Sequence, residues 1–222
     1  MLYTGVITME NTENQNNNYY AITIARQFCS GGNAVGEILA EKLNIKMFDK
    51  QLITMAAKKS GFHEAVFEQA DEVASNSLLY SVVMGSYPMN SLMFNNNAVT
   101  NDSLFTLQSN IIKETAENES CIIIGRCSNY VLRNHPRLLS VYLWADTDFR
   151  KQRYLELYKE PKEKDIETEL IKADKKRRNY YNYYSGKEWD SVTSYDLVIN
   201  VSKTGIEGAA KQIIEMKEIL GY

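Results

Sequence analysis

A glycine pair preceded by an arginine and followed by an asparagine is the pattern that points most directly to chemistry. Residues 26–33 read RQFCSGGN, after an apolar, β-branched run and before a helical pattern. A strand, a glycine turn and a helix start present backbone N–H groups and the positive end of a helix dipole to an anion. The segment predicts a phosphate-binding loop at Ser30, Gly31, Gly32 and Asn33, with a structural Gly-Gly helix start as the alternative.

This loop departs from the standard phosphate-binding pattern GxxxxGK[ST], in which the lysine reaches the terminal phosphates and the hydroxyl binds magnesium. Arg26 stands where that pattern has its first glycine, Gly32 replaces the lysine, and Asn33 replaces the hydroxyl residue. Arg26, Arg177 or Arg178 would then have to replace the charge of the missing lysine, and Asn33 would meet magnesium through its amide oxygen or through water.

Charged residues also follow other apolar runs of the chain. Asp49 follows residues 45–48, and Arg126 follows residues 121–124 and a glycine. Because ligands bind at the carboxyl ends of parallel strands, Arg26, Asp49 and Arg126 are predicted along one edge of a sheet. A guanidinium there can bind phosphate oxygens in a bidentate manner. The alternatives are a salt-bridged surface arginine for Arg126 and a helix-capping residue for Asp49.

A basic cluster, DKKRR at 174–178, lies within a long charged helical stretch. By itself this run favours a solvated helix face on which Asp174 pairs with Arg177 or Arg178. The tyrosines that follow cover more than one helical face, so they are predicted to pack rather than to stack on bases of a nucleic acid.

The elements that must position these residues alternate between short apolar runs and helical patterns. Strands are predicted at 21–25, 45–48, 121–124, 139–144 and 196–201. Helices are predicted from Val35 to Asn44, through residues 52–57 and 105–117, and from Ile206 to Leu220. This alternation predicts an α/β protein with a central parallel sheet covered on both faces. Residues 74–102 and 148–184 interrupt it and are predicted to be substrate-covering elements or lids.

Size, charge and composition narrow the class of protein. A chain of 222 residues predicts one domain at 20–222 after a flexible, Asn-rich tail at 1–19. The net charge of −3 gives no basic field for a nucleic acid polymer. No bilayer-spanning run or secretion signal is visible, which predicts a cytoplasmic protein without a membrane partner. The oligomeric state is left open.

The three cysteines form no CxxC pair and have no histidine at zinc-finger spacing, so neither a disulfide framework nor a metal site is predicted. A redox role for Cys29 and Cys127 is disfavoured for the same reason.

Four segments resemble, in order, the signature blocks of the cytidylate kinase-like family, and they cover nearly all of residues 20–222. They read ITIARQFCSGGNAVGEILAEKL, MFDKQLITMAAKKSG, LFTLQSNIIKETAENESCIIIGRCSNYVL, and DKKRRNYYNYYSGKEW followed by YDLVIN. The resemblance implies a P-loop NTPase-type three-layer sandwich. It also implies an acceptor-binding insertion at about 74–102, a helical lid at about 148–184, small-molecule nucleotide substrates, ATP and Mg²⁺.

The resemblance also implies roles for individual residues. Arg126 would grip the acceptor phosphate, and Cys127 replaces an aspartate that helps to hold the nucleoside in true cytidylate kinases. The lid pattern D-x-x-R implies an acceptor-side role for Asp174 and catalytic roles for Arg177 and Arg178. Asp49 would lie near the acceptor nucleoside.

Two functions follow from these observations. The first is an ATP-dependent kinase that transfers the γ-phosphoryl group to a nucleoside monophosphate, with CMP or dCMP as the acceptor. The second is a nucleotide-binding sensor of the same fold without turnover, suggested by the departures at Gly32, Asn33 and Cys127.

Overall fold

The computed structural model describes residues 18–49, 55, 101–158 and 165–222. Most of the predicted tail at 1–19 lies outside these ranges. The same holds for the helix predicted through residues 52–57 apart from Met55, and for the insertion at about 74–102 apart from its last two residues.

Within the described residues, five strands form one sheet in the order β2-β3-β1-β4-β5, and each neighbouring pair is parallel. The strands are β1 (Ala21–Arg26), β2 (Lys46–Phe48), β3 (Cys121–Ile124), β4 (Leu138–Trp144) and β5 (Leu197–Asn200). The predicted parallel α/β sheet is confirmed, and β1 occupies its centre.

Helices cover both faces of this sheet. They are α1 (Gly32–Leu43), α2 (Asn101–Asn118), α3 (Ser128–Val131), α4 (Thr147–Leu157), α5 (Ile166–Ser185) and α6 (Val201–Ile219), with a 3₁₀ turn at Val192–Ser194. Helix α1 ends as predicted at Asn44, which is left-handed with φ 52°. The described part of the segment predicted as a lid, at about 148–184, consists largely of α4 and α5.

Alternation along the strands divides the core into two layers. Ile22 and Ile24 of β1 face a cluster that includes Val35 of α1 and Ile213 of α6. The opposite face carries Ile123, which packs in a second cluster with apolar residues of α2 and α3. Two fully buried faces explain why these strands are nearly continuous apolar runs.

The last helix begins earlier than the sequence pattern predicted. It starts at Val201, where the Asn200 side chain accepts a hydrogen bond from the N–H of Ser202, and not at Ile206. Gly205 is non-helical, with φ 67° and ψ 174°, and divides a first turn from the main helix. The apolar period was visible only beyond this break, so the prediction missed the capped first turn.

Replacement of Ile122 by alanine is expected to lower the free energy of unfolding by about 2 to 5 kcal/mol, because a fully buried β3 side chain leaves a cavity between packed layers. Urea denaturation measures the loss. Ile219→Ala is the control, since that side chain is 79% exposed and its loss should change little. Equal losses in the two variants would contradict the described core.

Candidate active site

The loop between β1 and α1 is held in the shape that an anion site needs. Gly31 caps α1 in the left-handed region with φ 93° and supplies no side-chain cap. Helix geometry leaves the first N–H groups of α1, from Gly32 and Asn33, without partners inside the helix. The buried hydroxyl of Ser30 donates a 2.9 Å hydrogen bond to the carbonyl of Gln27 and braces the loop. Ser30 thus supports the loop, while the next residues present their backbone.

A second loop follows β3, next to β1 in the sheet. Gly125, Arg126 and Cys127 are successively left-handed, with φ values of 73°, 58° and 57°. Each non-glycine residue in that region costs about 1–2 kcal/mol. Such strained residues cluster at functional sites, where the surrounding structure enforces them. The backbone after β3 therefore supports a functional reading of Arg126.

The carboxylate of Asp49, which follows β2, contacts the end of β1 and the start of α1. The Nη2 atom of Arg26 lies 3.9 Å from Asp49 Oδ1, and Asn33 Nδ2 donates a 3.0 Å hydrogen bond to Asp49 Oδ2. The predicted placement of Arg26, Asp49 and Arg126 at one edge of the sheet is confirmed.

Three arginines from separate elements line one small cavity at this edge. Arg26 ends β1, Arg126 follows β3, and Arg177 comes from α5; the cavity between them encloses about 20 Å³. Burial lowers the pKa of the Arg126 guanidinium; Asp49 opposes this shift and Arg177 adds to it. A guanidinium stays protonated even so. Its three arginines give the cavity a positively charged lining.

Helix α5 is fastened to the phosphate-binding loop through Asp174. Its Oδ1 accepts a 2.7 Å hydrogen bond from the N–H of Phe28, and its Oδ2 pairs with Arg150 Nη2 at 2.5 Å. Arg150 of α4 also donates through Nε to the carbonyl of Phe28 at 2.8 Å. Both oxygens of Asp174 are engaged within the protein. The geometry therefore favours a positioning role for Asp174, and its acceptor-side role stays a prediction.

The two arginines of the basic cluster point to different places. Arg177 Nη1 donates to the carbonyl of Arg26 at 3.0 Å, and its guanidinium lies 5.4 Å from the centre of the Phe28 ring. Arg178 pairs with Asp190 at 2.7 Å, in a half-exposed ion pair. The structure brings Arg177 to the cavity and directs Arg178 to the protein surface.

Sequence reasoning missed Arg150, which is only 7% exposed and holds both the loop and Asp174. The available signal was its position four residues before Tyr154, which is fully buried on the same helix. An i, i+4 pair shares one helical face. An arginine on an inward face must find an anionic or carbonyl partner.

Three of the tyrosines that follow the basic cluster pack against other side chains as predicted, whereas Tyr183 is 52% exposed. Tyr180 and Tyr181 are buried with Cys127 in a cluster that includes Trp189. Tyr184 stacks on Phe105 with ring centres 3.9 Å apart. Cys127 thus stands in an apolar, aromatic setting at the place that the family resemblance gives to an aspartate.

Comparison with protein-family models identifies one family. The model of the cytidylate kinase-like family matches residues 21–203, which takes in both loops and the lid helices.

Individual relatives agree with this match. The chain is 28% identical to a cytidylate kinase of Archaeoglobus fulgidus over 204 residues, covering 89% of this chain and 94% of that one. A crystal structure of an uncharacterized protein from Eubacterium ventriosum has a TM-score of 0.62 at 25% identity, covering 90% of this chain and 98% of that one. Shikimate kinase from Bacteroides thetaiotaomicron has a TM-score of 0.50 at 16% identity, covering 90% and 98%, and shares the α/β P-loop fold.

Replacing Asp174 by asparagine is expected to lower the free energy of unfolding by about 3 to 5 kcal/mol, because it leaves the buried Arg150 guanidinium without its counter-charge. Chemical denaturation provides the measurement. Glu167→Gln removes the carboxylate of an exposed pair with Lys151 and is the control, with little change expected. Similar losses in both variants would show that the pair does not fasten α5 to the loop.

All three cysteine thiols are expected to react slowly in the native protein. Burial raises the pKa of Cys29 to about 11 and those of Cys121 and Cys127 to about 12. At pH 8 the reactive thiolate is then about a thousandth of each thiol or less. Ellman's reagent should label three thiols rapidly only after denaturation. Rapid labelling of Cys127 in the folded protein would contradict its buried, apolar setting.

Proposed function

This chain belongs to the cytidylate kinase-like family, and we propose that it is an ATP-dependent kinase acting on nucleoside monophosphates in the cytoplasm. The observation that carries the proposal is the convergence of Arg26, Arg126 and Arg177 on one cavity beside a glycine-opened helix start. Phosphoryl transfer needs little covalent chemistry from the protein. It needs substrates in line and positive charge on the transferring group.

The phosphates of ATP lie on the loop at Ser30–Asn33, and the base of ATP lies in a groove between α4 and α6. That groove has a volume of about 360 Å³ and is lined by Phe149, Arg153 and Ile206, among others. Ile206 also packs against the loop, since a Cβ placed on Gly31 would be 3.2 Å from its Cγ1. The phosphate loop and the groove are therefore adjacent, and the groove is within the size range of ligand pockets.

The acceptor phosphate binds at Arg126. This side chain is 6% exposed and stands on the loop after β3. A guanidinium in a buried, rigid setting attracts phosphate oxygens more strongly than one in water, because the local dielectric constant is lower.

Arg177 stabilises the transferring phosphoryl group from the lid. In the described arrangement the cavity of about 20 Å³ holds about one water molecule and is smaller than a phosphate ester. Helix α5 must move outward for a substrate to enter and return when both substrates are bound. Arg177 would then meet the transferring group in the reacting geometry, as a closing lid requires.

The side chains around the loop suit magnesium that is held largely by phosphate and water. In the described ranges, no group of three or more His, Cys, Asp or Glu side chains could hold a metal by itself. Magnesium in kinases needs only one or two protein carboxylates in addition to substrate phosphates. Asp49 and the amide oxygen of Asn33 would supply these contacts, and the metal would neutralise charge on the phosphates.

CMP or dCMP is the proposed acceptor. The Archaeoglobus fulgidus relative is a cytidylate kinase, which supports this choice. Cys127 and the surrounding aromatic residues would then contact the base without the aspartate that the family resemblance places there. A coupled ADP-release screen against nucleoside monophosphates, deoxynucleosides and small alcohols, with ATP and Mg²⁺, tests the acceptor directly.

A second candidate is a nucleotide-binding sensor without turnover. The observation that favours it is the absence of the standard lysine and hydroxyl at Gly32 and Asn33. If the protein binds ATP but no acceptor in the screen leads to ADP release, the sensor would be favoured over the kinase.

Arg126→Ala is expected to lower acceptor use by about 100-fold or more, while ATP binding stays close to that of the unaltered protein. The reason is that Arg126 belongs to the acceptor side of the cavity and ATP lies on the other loop. Steady-state kinetics with varied acceptor, together with calorimetric titration of ATP, measures both effects. Equal losses of ATP affinity and acceptor use would contradict this division.

Arg177→Ala is expected to lower kcat by about 10³-fold with a smaller change in ground-state affinity, because its contact is made mainly in the transition state. Arg178→Ala is the matched comparison on the same helix. Since Arg178 pairs with Asp190 at the surface, its loss should have a much smaller effect. A larger loss in Arg178→Ala would reverse the two assignments.

A further inference from the structure

The side chain of Arg26 occupies the space that a side chain at position 32 would need. A Cβ placed on Gly32 would lie 2.6 Å from Arg26 Cγ and 2.9 Å from Arg26 Cβ, and real Cβ atoms essentially never approach other heavy atoms so closely. Gly32 is the first residue of α1, and its backbone does not have a positive φ. The close approach of Arg26 is therefore the reason that position 32 is a glycine.

Gly125 leaves room for the guanidinium end of the same side chain. A Cβ at Gly125 would lie 2.1 Å from Arg26 Nη1. From the end of β1 the guanidinium thus runs across the end of β3 towards Asp49 at the end of β2, where Nη2 lies 3.9 Å from the carboxylate. Gly32 and Gly125, which belong to different elements, thus leave the space that the Arg26 side chain occupies.

The arginine at position 26 and the glycine at position 32 are therefore linked departures from the standard loop. The standard loop has glycine at the first position and lysine at the seventh, whereas this chain has Arg26 at the first and Gly32 at the seventh. The positive charge has moved from the helix start to the strand end. The two arrangements exclude each other, because a long side chain at both positions would fill the same space.

We propose that Arg26 is the phosphate-binding cation of this loop and does the work of the missing lysine. The inference rests on the proposed kinase function and adds a residue to its machinery. The guanidinium lies 10% exposed beside the helix start, with Asp49 to orient it. Its planar fork can bind two phosphate oxygens at once, where a lysine acts as a point charge.

The experiment returns the positive charge from position 26 to position 32. The variants that change Arg26 alone are Arg26→Met, which keeps much of the packing and removes the charge, Arg26→Lys, which keeps the charge, and Arg26→Gly. The other two are Gly32→Lys and the double variant Arg26→Gly with Gly32→Lys. Lys211→Ala is the control for loss of a positive charge on the exposed face of α6, where Lys211 pairs with Glu215. Each variant is checked by thermal unfolding, then titrated with ATP by calorimetry and assayed for ADP release.

Arg26→Met should weaken ATP binding at least about tenfold and lower kcat/KM by about 100-fold or more, while Arg26→Lys retains more of both. Gly32→Lys alone should lose binding, because the new side chain collides with Arg26. The double variant should recover at least about tenfold over Arg26→Gly alone, a non-additive gain that two independent sites cannot give.

The inference would be overturned if Arg26→Met bound ATP and turned over as well as the Lys211→Ala control. Tighter ATP binding by Arg26→Met would also overturn it, because it would show that the Arg26 side chain obstructs ATP binding. If the double variant does not fold, Arg26→Met against Arg26→Lys decides. The proposed function fails separately, through a lack of ADP release by the unaltered protein. In that event calorimetry still reads the role of Arg26 in binding phosphates.

Discussion

The buried ion pair between Arg150 and Asp174 is the contact on which the arrangement of the site depends. It joins the two lid helices to each other, and both partners also bind the backbone of Phe28, one at its carbonyl and the other at its N–H. The two helices and the loop between β1 and α1 are thus held together by four groups: the side chains of Arg150 and Asp174, and the carbonyl and N–H of Phe28. Because breaking such a pair leaves a buried charge uncompensated, movement of α5 away from this loop would have a large energetic cost.

Buried positive charge and strained backbone occur together at this site. The left-handed residues after β3 hold a desolvated arginine in a cavity that Arg26 and Arg177 also line. Asp49 lies 3.9 Å from Arg26 and partly neutralises it. Under the proposed function this positive charge would be in place before substrates bind, and preorganised charge of this kind lowers the barrier for phosphoryl transfer.

The parts of this structure that the sequence predicted are those encoded by short-range pattern. The apolar strands, the helix that ends at Asn44 and the shared edge of Arg26, Asp49 and Arg126 all follow from periodicity and from the geometry of parallel sheets. The fastening of Asp174 to Phe28 joins residues 146 positions apart, and no local pattern reports such a contact. Adjacent residues on a helix point about 100° apart, but the local pattern does not show which of the two directions meets the site, so the separate places of Arg177 and Arg178 could not be predicted.

The crowding between Arg26 and position 32 also constrains how such a loop can change over evolutionary time. A lineage that exchanges this chemistry for the standard one must alter two codons, and the order matters. Acquiring the lysine first places two long side chains in one channel, whereas losing the arginine first leaves an uncrowded loop without a cation. The second order avoids the collision, so we expect the path between the two loop types to run through the uncrowded loop that lacks a cation.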